Sequence, residues 1–498
     1  METNEDPKTE RYAAAERAFA KMVERVADVK EGDIKGLEET IFQEVLQLGS
    51  TLMECAMSQG REVEKAPAKI VGECGHEHSL VGYRSKHIIT LLGEVEFKRP
   101  YYQCEGEKME KIVGYNTEGK NREQEHKKCS HGLAPGDELW GVQGTRTTPG
   151  VQKIVSYFCA IMTLEEAAET FSRVFRRKMS PRQALNLLKP VGNALAAQED
   201  KKVKDIFDQG QHKDSSQQEQ EDLQREKTID RLYIETDEIV ARLRRGSVPM
   251  EKKEDNRSGD VYRGVKVGAV FQAERGRERS ELAPDVWIDT PKIGSMSYVA
   301  RRSAKGGFGQ LLYALARQGG LDQAKQVVVL GDGALWIWKL VAEHFADAVQ
   351  IVDLYHAKEH VWGVAHAVFG RATEAAAVWA KQACDLLVHG KIEDLVDSIA
   401  ALPAIAPEPG QSKSVPEQAL GYFIHNASRM RYPAFRAQGM HVGSGIAEAA
   451  CKTVVTARFK RTGMRFTPDG LDALLPLRTA KLNGSYDQFW EAHSRLIA

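Results

Sequence analysis

Hydrophobic residues recur along this chain with three spacings, and each spacing predicts a different kind of element. From about residue 9 to 60 the spacing is helical: Ala18, Phe19, Met22, Val23 and Val26 form one stripe, and Leu37, Ile41, Val45, Leu46 and Leu48 contribute to another. Lys30-Glu-Gly-Asp-Ile separates the two helices, whose apolar faces are expected to pack on each other or on a second subunit. From Ile70 to Gly136 the period changes, and His87 to Cys104 reads as two strands joined at Gly93-Glu94, a hairpin signal. Residues 148 to 196 return to helix. Val151 to Met162 is mostly apolar, Thr163-Leu-Glu-Glu opens a second helix, and Ser180-Pro181 opens a third with serine as N-cap and proline at the first position. Gln198 to Asp230 is charged, Gln-rich and nearly free of large apolar residues, a linker or an exposed helix extension.

From Arg231 strands and helices alternate, which predicts an α/β region. Leu232 to Asp237, Val261 to Gln272, Asp285 to Asp289, Val327 to Leu330 and Val349 to Asp353 read as strands, and Phe308 to Arg317 as an amphipathic helix. After His356 the pattern is helical, interrupted by a Pro-rich stretch from Leu402 to Pro416. At Gly443-Ser-Gly-Ile-Ala-Glu448-Ala-Ala-Cys-Lys452, Ser444 can cap a helix on which Glu448 and Lys452 share a face.

Composition narrows the class. A chain of 498 residues carries a prior of about three domains. With 42% hydrophobic and 28% charged residues it reads as an ordinary soluble protein. The formal net charge of -1 means that any contact with nucleic acid must come from local basic patches. The acidic start, Met1 to Asp6, does not read as a secretory signal, and no apolar run is long enough to span a bilayer. Seven scattered cysteines do not suggest a disulfide framework, so a reduced, cytoplasmic protein is expected.

Three carboxylates stand out. Asp332 follows Val327-Val-Val-Leu330 between Gly331 and Gly333, at the carboxyl end of a buried strand, where open α/β sheets place ligands. The alternative use of an Asp-Gly pair is a turn with a local capping carboxylate. Asp237 closes an earlier strand in the same way, and Glu448 lies on a later helix. Together they could hold two Mg²⁺ ions about 3.5–4 Å apart, the arrangement that supports in-line phosphoryl displacement. Asp353-Leu-Tyr-His356, at the end of the last strand, is a further candidate, as a structural or a catalytic pair. Further basic clusters occur at Lys452, Arg458, Lys460, Arg461 and Arg465, and at Arg176, Arg177, Lys178 and Arg182. The second cluster lies on a turn between two helices, either a helix-turn-helix or a plain helical hairpin. Cys74, His76, Cys104 and Cys129 around the hairpin could bind one structural Zn²⁺, or be free thiols and a surface histidine. Trp336, Trp338, Trp362 and Trp379 could stack on flipped bases, but helical spacing favours core packing.

The chain resembles bacterial insertion-sequence DDE transposases of the Kra group, relatives of the Lre and Mutator-like groups. The likeness rests on Tyr233-Ile-Glu-Thr-Asp237, Tyr262-Arg-Gly-Val-Lys-Val-Gly, Val328-Val-Leu-Gly-Asp332-Gly-Ala and Ile351-Val-Asp353-Leu-Tyr-His356-Ala-Lys-Glu-His360. It extends to Gly443–Lys452, to Arg461-Thr-Gly-Met-Arg465, and to the hairpin with Tyr101-Tyr-Gln-Cys104. It covers most of residues 35 to 490. The resemblance implies an α/β multidomain protein: a ribonuclease-H-like mixed-sheet catalytic core (231–356 and 441–498) with an α-helical insertion (357–440). Ahead of the core the residue patterns give N-terminal helices (1–66), a small β, zinc-ribbon-like module (67–147), a helix-turn-helix-like DNA-binding region (148–198) and a charged linker (199–230). The implied activity is Mg²⁺- or Mn²⁺-dependent cleavage and strand transfer of double-stranded DNA at element ends and target, with Asp237, Asp332 and Glu448 as ligands. Homo-oligomerisation on DNA, association with the nucleoid and no membrane partner follow from the same likeness. A catalytically silent DNA-binding protein and a ribonuclease-H-like nuclease without strand transfer are the competing classes. Three departures from the family pattern stand out: Glu238 where glycine usually follows the first aspartate, Phe466 for a usual tryptophan, and a cysteine pair split by residues 105–128.

Overall fold

The computed structural model describes residues 7–58, 66–72, 75–104, 113–115, 121–123, 132–211, 228–244, 246–247, 261–280 and 283–497. The chain divides into two compact units, one of residues 1–159, 164–187 and 487–498, the other of residues 160–163 and 188–486. Among the described residues no helix is long and apolar enough to cross a membrane.

The first unit begins with the expected helices, α1 (Pro7–Ala27) and α2 (Ile34–Met57), the second opened by Asp33, whose side chain accepts from the Gly36 N–H. Arg25 pairs with Glu44 across them. Much of the apolar stripe stays in solvent all the same: Phe19, Val23, Ile41, Phe42 and Val45 are exposed. Strands β1 (Lys69–Val71), β2 (Glu77–Ile89), β3 (Glu94–Cys104) and β4 (Gly132–Leu133) form an antiparallel sheet in that order. Its β2–β3 hairpin turns at Thr90 to Gly93, where the Thr90 hydroxyl bonds the Gly93 carbonyl and Gly93 takes the positive φ that glycine permits. Helices α3 (Pro149–Ile161) and α4 (Leu164–Val174) follow, then α5 (Pro181–Gln211), whose residues from Leu188 on belong to the second unit. Ser180 and Gln183 cap α5 reciprocally, each side chain bonding the other's backbone N–H.

In the second unit the described strands build a mixed sheet: β5 (Ile229–Leu243), β6 (Val261–Ser280), β7 (Ala283–Pro291), β8 (Ser297–Arg302), β9 (Ala324–Gly331) and β10 (Val349–Val352). The order is β8-β6-β5-β9-β10. β8 pairs with β6 and β6 with β5 antiparallel, whereas β9 is parallel to both β5 and β10. The far end of β6 leaves the sheet to pair with β7 as a ribbon. β5 does not stop at Asp237 as the pattern suggested. It runs on to Leu243 because antiparallel β6 continues to pair with it, Asp237 lying opposite Val267. The short strand β8 was not anticipated.

Helices α6 (Phe308–Gln318) and α7 (Leu335–His344) cover the sheet. Beyond β10 come α8 (Leu354–Phe369), α9 (Glu374–Val388), α10 (Ile392–Ala400), α11 (Val415–Asn426) and α12 (Tyr432–Ala437). The non-helical stretch ahead of α11 matches the Pro-rich interruption. The apolar residues of these helices do not form an independent core as expected of an insertion. Val361, Ala380, Leu395, Phe423 and Tyr432 join the same cluster as Val328, Leu330 and Ile351 of the sheet. Trp338 is buried, and Trp336, Trp362 and Trp379 pack against the same cluster, which bears out core packing. The chain returns through α13 (Gly445–Ala450), a π-helical turn over Cys451–Thr456 and α14 (Pro468–Leu482).

Gly192 on α5 lies so close to α14 that a Cβ there would meet the Ala473 carbonyl oxygen at 2.1 Å. That neighbour is backbone and cannot rotate away, so Gly192→Ala should push the helices apart. A loss of about 1–3 kcal/mol is expected, measured as a lower denaturation midpoint by urea titration. An unchanged midpoint would show that this contact is not tight in solution.

Candidate active site

The site follows from strand register. β9 pairs with β5 so that Leu330 lies opposite Glu235, and with β10 so that Gly331 lies opposite Val352. Carried on to the next positions, the same registers set Asp332 beside Asp237 on one side and Asp353 on the other. Neighbouring strands are about 4.8 Å apart, and paired residues in parallel strands point to the same face. The Asp237 carboxyl is pushed up, first by burial and further by the nearby charge of Asp332, against the lowering effect of the Glu238 N–H. The β5–β9 boundary is also where the chain order reverses, from β6 on one side of β5 to β9 on the other, the position at which open sheets form ligand crevices.

Each aspartate has its own surroundings. Asp332 Oδ1 accepts the Ala334 N–H at 2.8 Å, so the turn-capping use of an Asp-Gly pair holds for one of its oxygens. Its carbonyl accepts the Tyr422 hydroxyl at 3.0 Å, and Gly333 has φ +95° with Tyr422 packed where a Cβ would sit. Only glycine fits that backbone and that neighbour together. Tyr422 stacks on His360 at 3.9 Å between ring centroids. Burial and the neighbouring His356 pull the His360 imidazole down to about 4, against the raising effect of Asp332. Glu238, which stands after Asp237 where the resembling family usually has glycine, alternates to the other face of β5 and accepts the Ser303 hydroxyl at 2.8 Å.

The helix that carries Glu448 is tied to these strands by two buried acids. Glu235 Oε2 accepts the Ala447 N–H at 2.7 Å. Asp353 accepts the Tyr355 and His356 N–H groups with Oδ1, capping α8, and the Ser444 N–H at 2.6 Å and hydroxyl with Oδ2. Asp353 is therefore a structural anchor, and half-exposed His356 lies 3.4 Å from Glu359 with its charge bearing on Asp237. Past Glu448, the Cys451 thiol donates to Asp237 Oδ2 at 3.7 Å, and burial raises the thiol far above its ordinary range. Glu448 itself is exposed and ion-paired with Lys452 at 2.5 Å. Among the described residues no three His, Cys, Asp or Glu side chains are grouped to hold a metal ion. Two carboxylates thus converge on one face, with the third on a helix strapped to the same strands.

The basic candidates separate. Lys460, Arg461 and Arg465 are exposed. Arg458 is not: it is fully buried, with its guanidinium 5.5 Å from the Phe459 ring centroid and 4.0 Å from Met464 Sδ, which removes it from the phosphate-binding set. The helical stripe Cys451, Val454, Val455, Arg458, Phe459 carried that signal in the sequence. In the first unit Arg176 pairs with Glu39 and covers Phe42, and Arg177 lies against Gly93, while Lys178 and Arg182 are exposed. Of the zinc set, Cys74 and Cys129 lie outside the described residues. Between the other two, register places buried His78, not exposed His76, opposite Cys104. Neither models of known protein families nor curated proteins match the chain.

Glu235 is fully buried, and burial raises its carboxyl to about 8 despite the Ala447 N–H. A carboxyl whose folded value exceeds its unfolded one costs stability as pH rises between the two, here from about 4.5 to about 8. Glu235→Gln keeps a carbonyl oxygen for Ala447 and cannot ionise. The stability difference, variant minus parent, should grow by more than about 1 kcal/mol from pH 5 to pH 8. Denaturant melts at both pH values measure it, and a difference independent of pH would place an ionised Glu235 in the fold at no cost.

Proposed function

We propose that this chain is a divalent-metal-dependent DDE transposase with a ribonuclease-H-like core, which cuts and rejoins DNA at the ends of its own element. The observation that carries the reading is the β5–β9 register, which carried past the strand end sets Asp237 and Asp332 side by side at the reversal point of a mixed sheet, with the Glu448 helix tied to the same strands. Two like charges held side by side on a folded surface form a donor set suited to hard cations, which take oxygen ligands. Asp237 and Asp332 would hold the Mg²⁺ or Mn²⁺ ions, and Glu448 would join them on leaving Lys452. An exposed ion pair of that kind contributes only about 0–1 kcal/mol, so the exchange is energetically small. When bound, such ions supply charge stabilisation to the attacking and leaving oxygens of phosphoryl transfer. The chain's own residues supply the frame: Tyr422 fixes the Asp332 backbone, Cys451 donates to Asp237, and Glu235 and Asp353 hold the helix. Exposed Lys460, Arg461 and Arg465, with Lys178 and Arg182, would contact phosphates without reading sequence. The silent DNA-binding reading draws on one observation, the ion pair that occupies Glu448.

A structural zinc in the N-terminal module belongs to the same proposal, with Cys74, Cys104 and Cys129 as ligands and His78 a better fourth than His76. Metal analysis of purified protein should return about one zinc per chain. A zinc-free, folded protein would remove it.

Asp332→Asn tests the catalytic role. Asparagine retains an Oδ1 for the Ala334 N–H, so the turn survives, but it loses the charge that draws a cation. End-DNA cleavage should fall roughly 10²-fold or more, while retention of the same DNA persists with its steep salt dependence. Both are read side by side by gel shift and strand-cleavage assay. Undiminished cleavage by the variant would sink the assignment, and loss of binding in a folded variant would make Asp332 structural.

A further inference from the structure

Beside the acidic edge lies a cavity of about 810 Å³ that the proposed chemistry does not use. Its walls are the β6–β7 ribbon, the first turn of α8 and the return segment at Gly443, Gly445 and Ile446. That return segment is the one whose Ser444 and Ala447 are bound by Asp353 and Glu235, so the cavity and the acid site share a wall.

Tyr355 is its most telling feature. The ring is 63% exposed, yet it lies over Gly443, where a Cβ would come within 2.9 Å of it. The Cδ2–Cε2 side of the ring is thus seated against backbone, and so little ordering entropy remains to be lost on stacking. The Lys358 ammonium stands 5.7 Å from the ring centroid, and Arg279 and Arg436 line the same cavity. Arg279 is itself held, donating to the Pro284 carbonyl at 2.9 Å and lying 4.8 Å from the Trp287 ring centroid. Against these cations stand three exposed carboxylates, Glu274, Glu278 and Asp285, the last 3.8 Å from Arg279, since Asp289 is already paired with Arg231. The cleft thus sets three cations for a phosphate beside carboxylate acceptors for the amino groups of a base. The volume falls in the range of small-ligand sites, roughly 300–1,000 Å³, and leaves no room for a duplex.

We propose that this cleft binds one unpaired nucleotide, its base stacked on Tyr355 and its phosphate held by Arg279, Lys358 and Arg436. That the nucleotide belongs to the strand being cut rests on the function proposed above; the binding itself does not. Base–aromatic stacking is sequence-tolerant, because every base has a π-face.

The test uses the full chain and a fluorescein-labelled single-stranded hexathymidylate, followed by anisotropy without divalent metal. Removing a stacking ring is expected to weaken strand binding about 5- to 100-fold in Tyr355→Ala. Tyr355→Phe keeps the ring and should stay within about twofold of the parent, as should duplex binding by either variant. Parent-like binding of the single strand by Tyr355→Ala would overturn the proposal. So would an equal loss in Tyr355→Phe, or a parallel loss of duplex binding. Displacement of the probe by dTMP supports a mononucleotide site, and displacement by longer strands alone supports a strand site. A parent that binds the probe through Tyr355 but cuts no end DNA would refute the transposase reading and leave the cleft standing. Cleavage by a parent whose strand binding ignores Tyr355 would do the reverse.

Discussion

The constraint on which the site depends is the parallel register between β9 and its two neighbours. Once Val328, Val329 and Leu330 are buried in the middle of the sheet, the residue that ends the strand has no choice of partner. Asp332 must stand beside Asp237. Two charges at strand spacing repel by about 3 kcal/mol at an effective dielectric near 20, and by less where water reaches them. Burial of a single Val or Leu side chain contributes roughly 1.5–3 kcal/mol, so the three core residues of β9 easily outweigh that repulsion. The sheet can therefore hold an arrangement that the carboxylates alone would avoid.

A second layer of carboxylates does a different task. Glu235 and Asp353 are buried, and each accepts backbone N–H groups from the return segment, so neither points a charge at solvent. Buried acids that accept backbone donors act as rivets, because those donors cannot turn elsewhere without going unsatisfied. They fix where the Glu448 helix begins, and the π-helical turn after it sets Cys451 against Asp237. Four acids thus divide into two set side by side at the edge and two that hold the helix carrying a fifth, Glu448.

Much of this was legible in the sequence, and the limits have physical causes. β9 and β10 read clearly because short β-branched runs bounded by glycine or aspartate have few other uses. The break at Lys30, the turn at Gly93 and the Ser180 cap were equally plain, since each needs particular residue types. β8 escaped because Ser297 to Arg302 is short and ends in two arginines, leaving little apolar contrast. The end of β5 was misplaced because strand length there is set by a partner, β6, and not by β5's own residues. Arg458 was misread for its charge, although its place on an apolar stripe pointed inward. The roles of Glu235, Tyr422 and Cys451 were not legible, since each depends on contacts between segments roughly 90 to more than 200 residues apart.

The same reasoning explains why the helices after β10 belong with the sheet. Tyr422 on α11 donates to the Asp332 carbonyl, and Asn426 one turn later reaches the Gly333 carbonyl at 3.4 Å. Tyr432 donates to the Val352 carbonyl at 3.1 Å from a fully buried position. These helices therefore satisfy the backbone groups that β9 and β10 leave unpaired where the strands end. A strand that stops exposes its last carbonyls, and where they are buried they need donors. The segment inserted between the second aspartate and the glutamate is thus part of the edge's own hydrogen bonding. A change in its packing would reach Asp332 through Tyr422 before it reached any substrate.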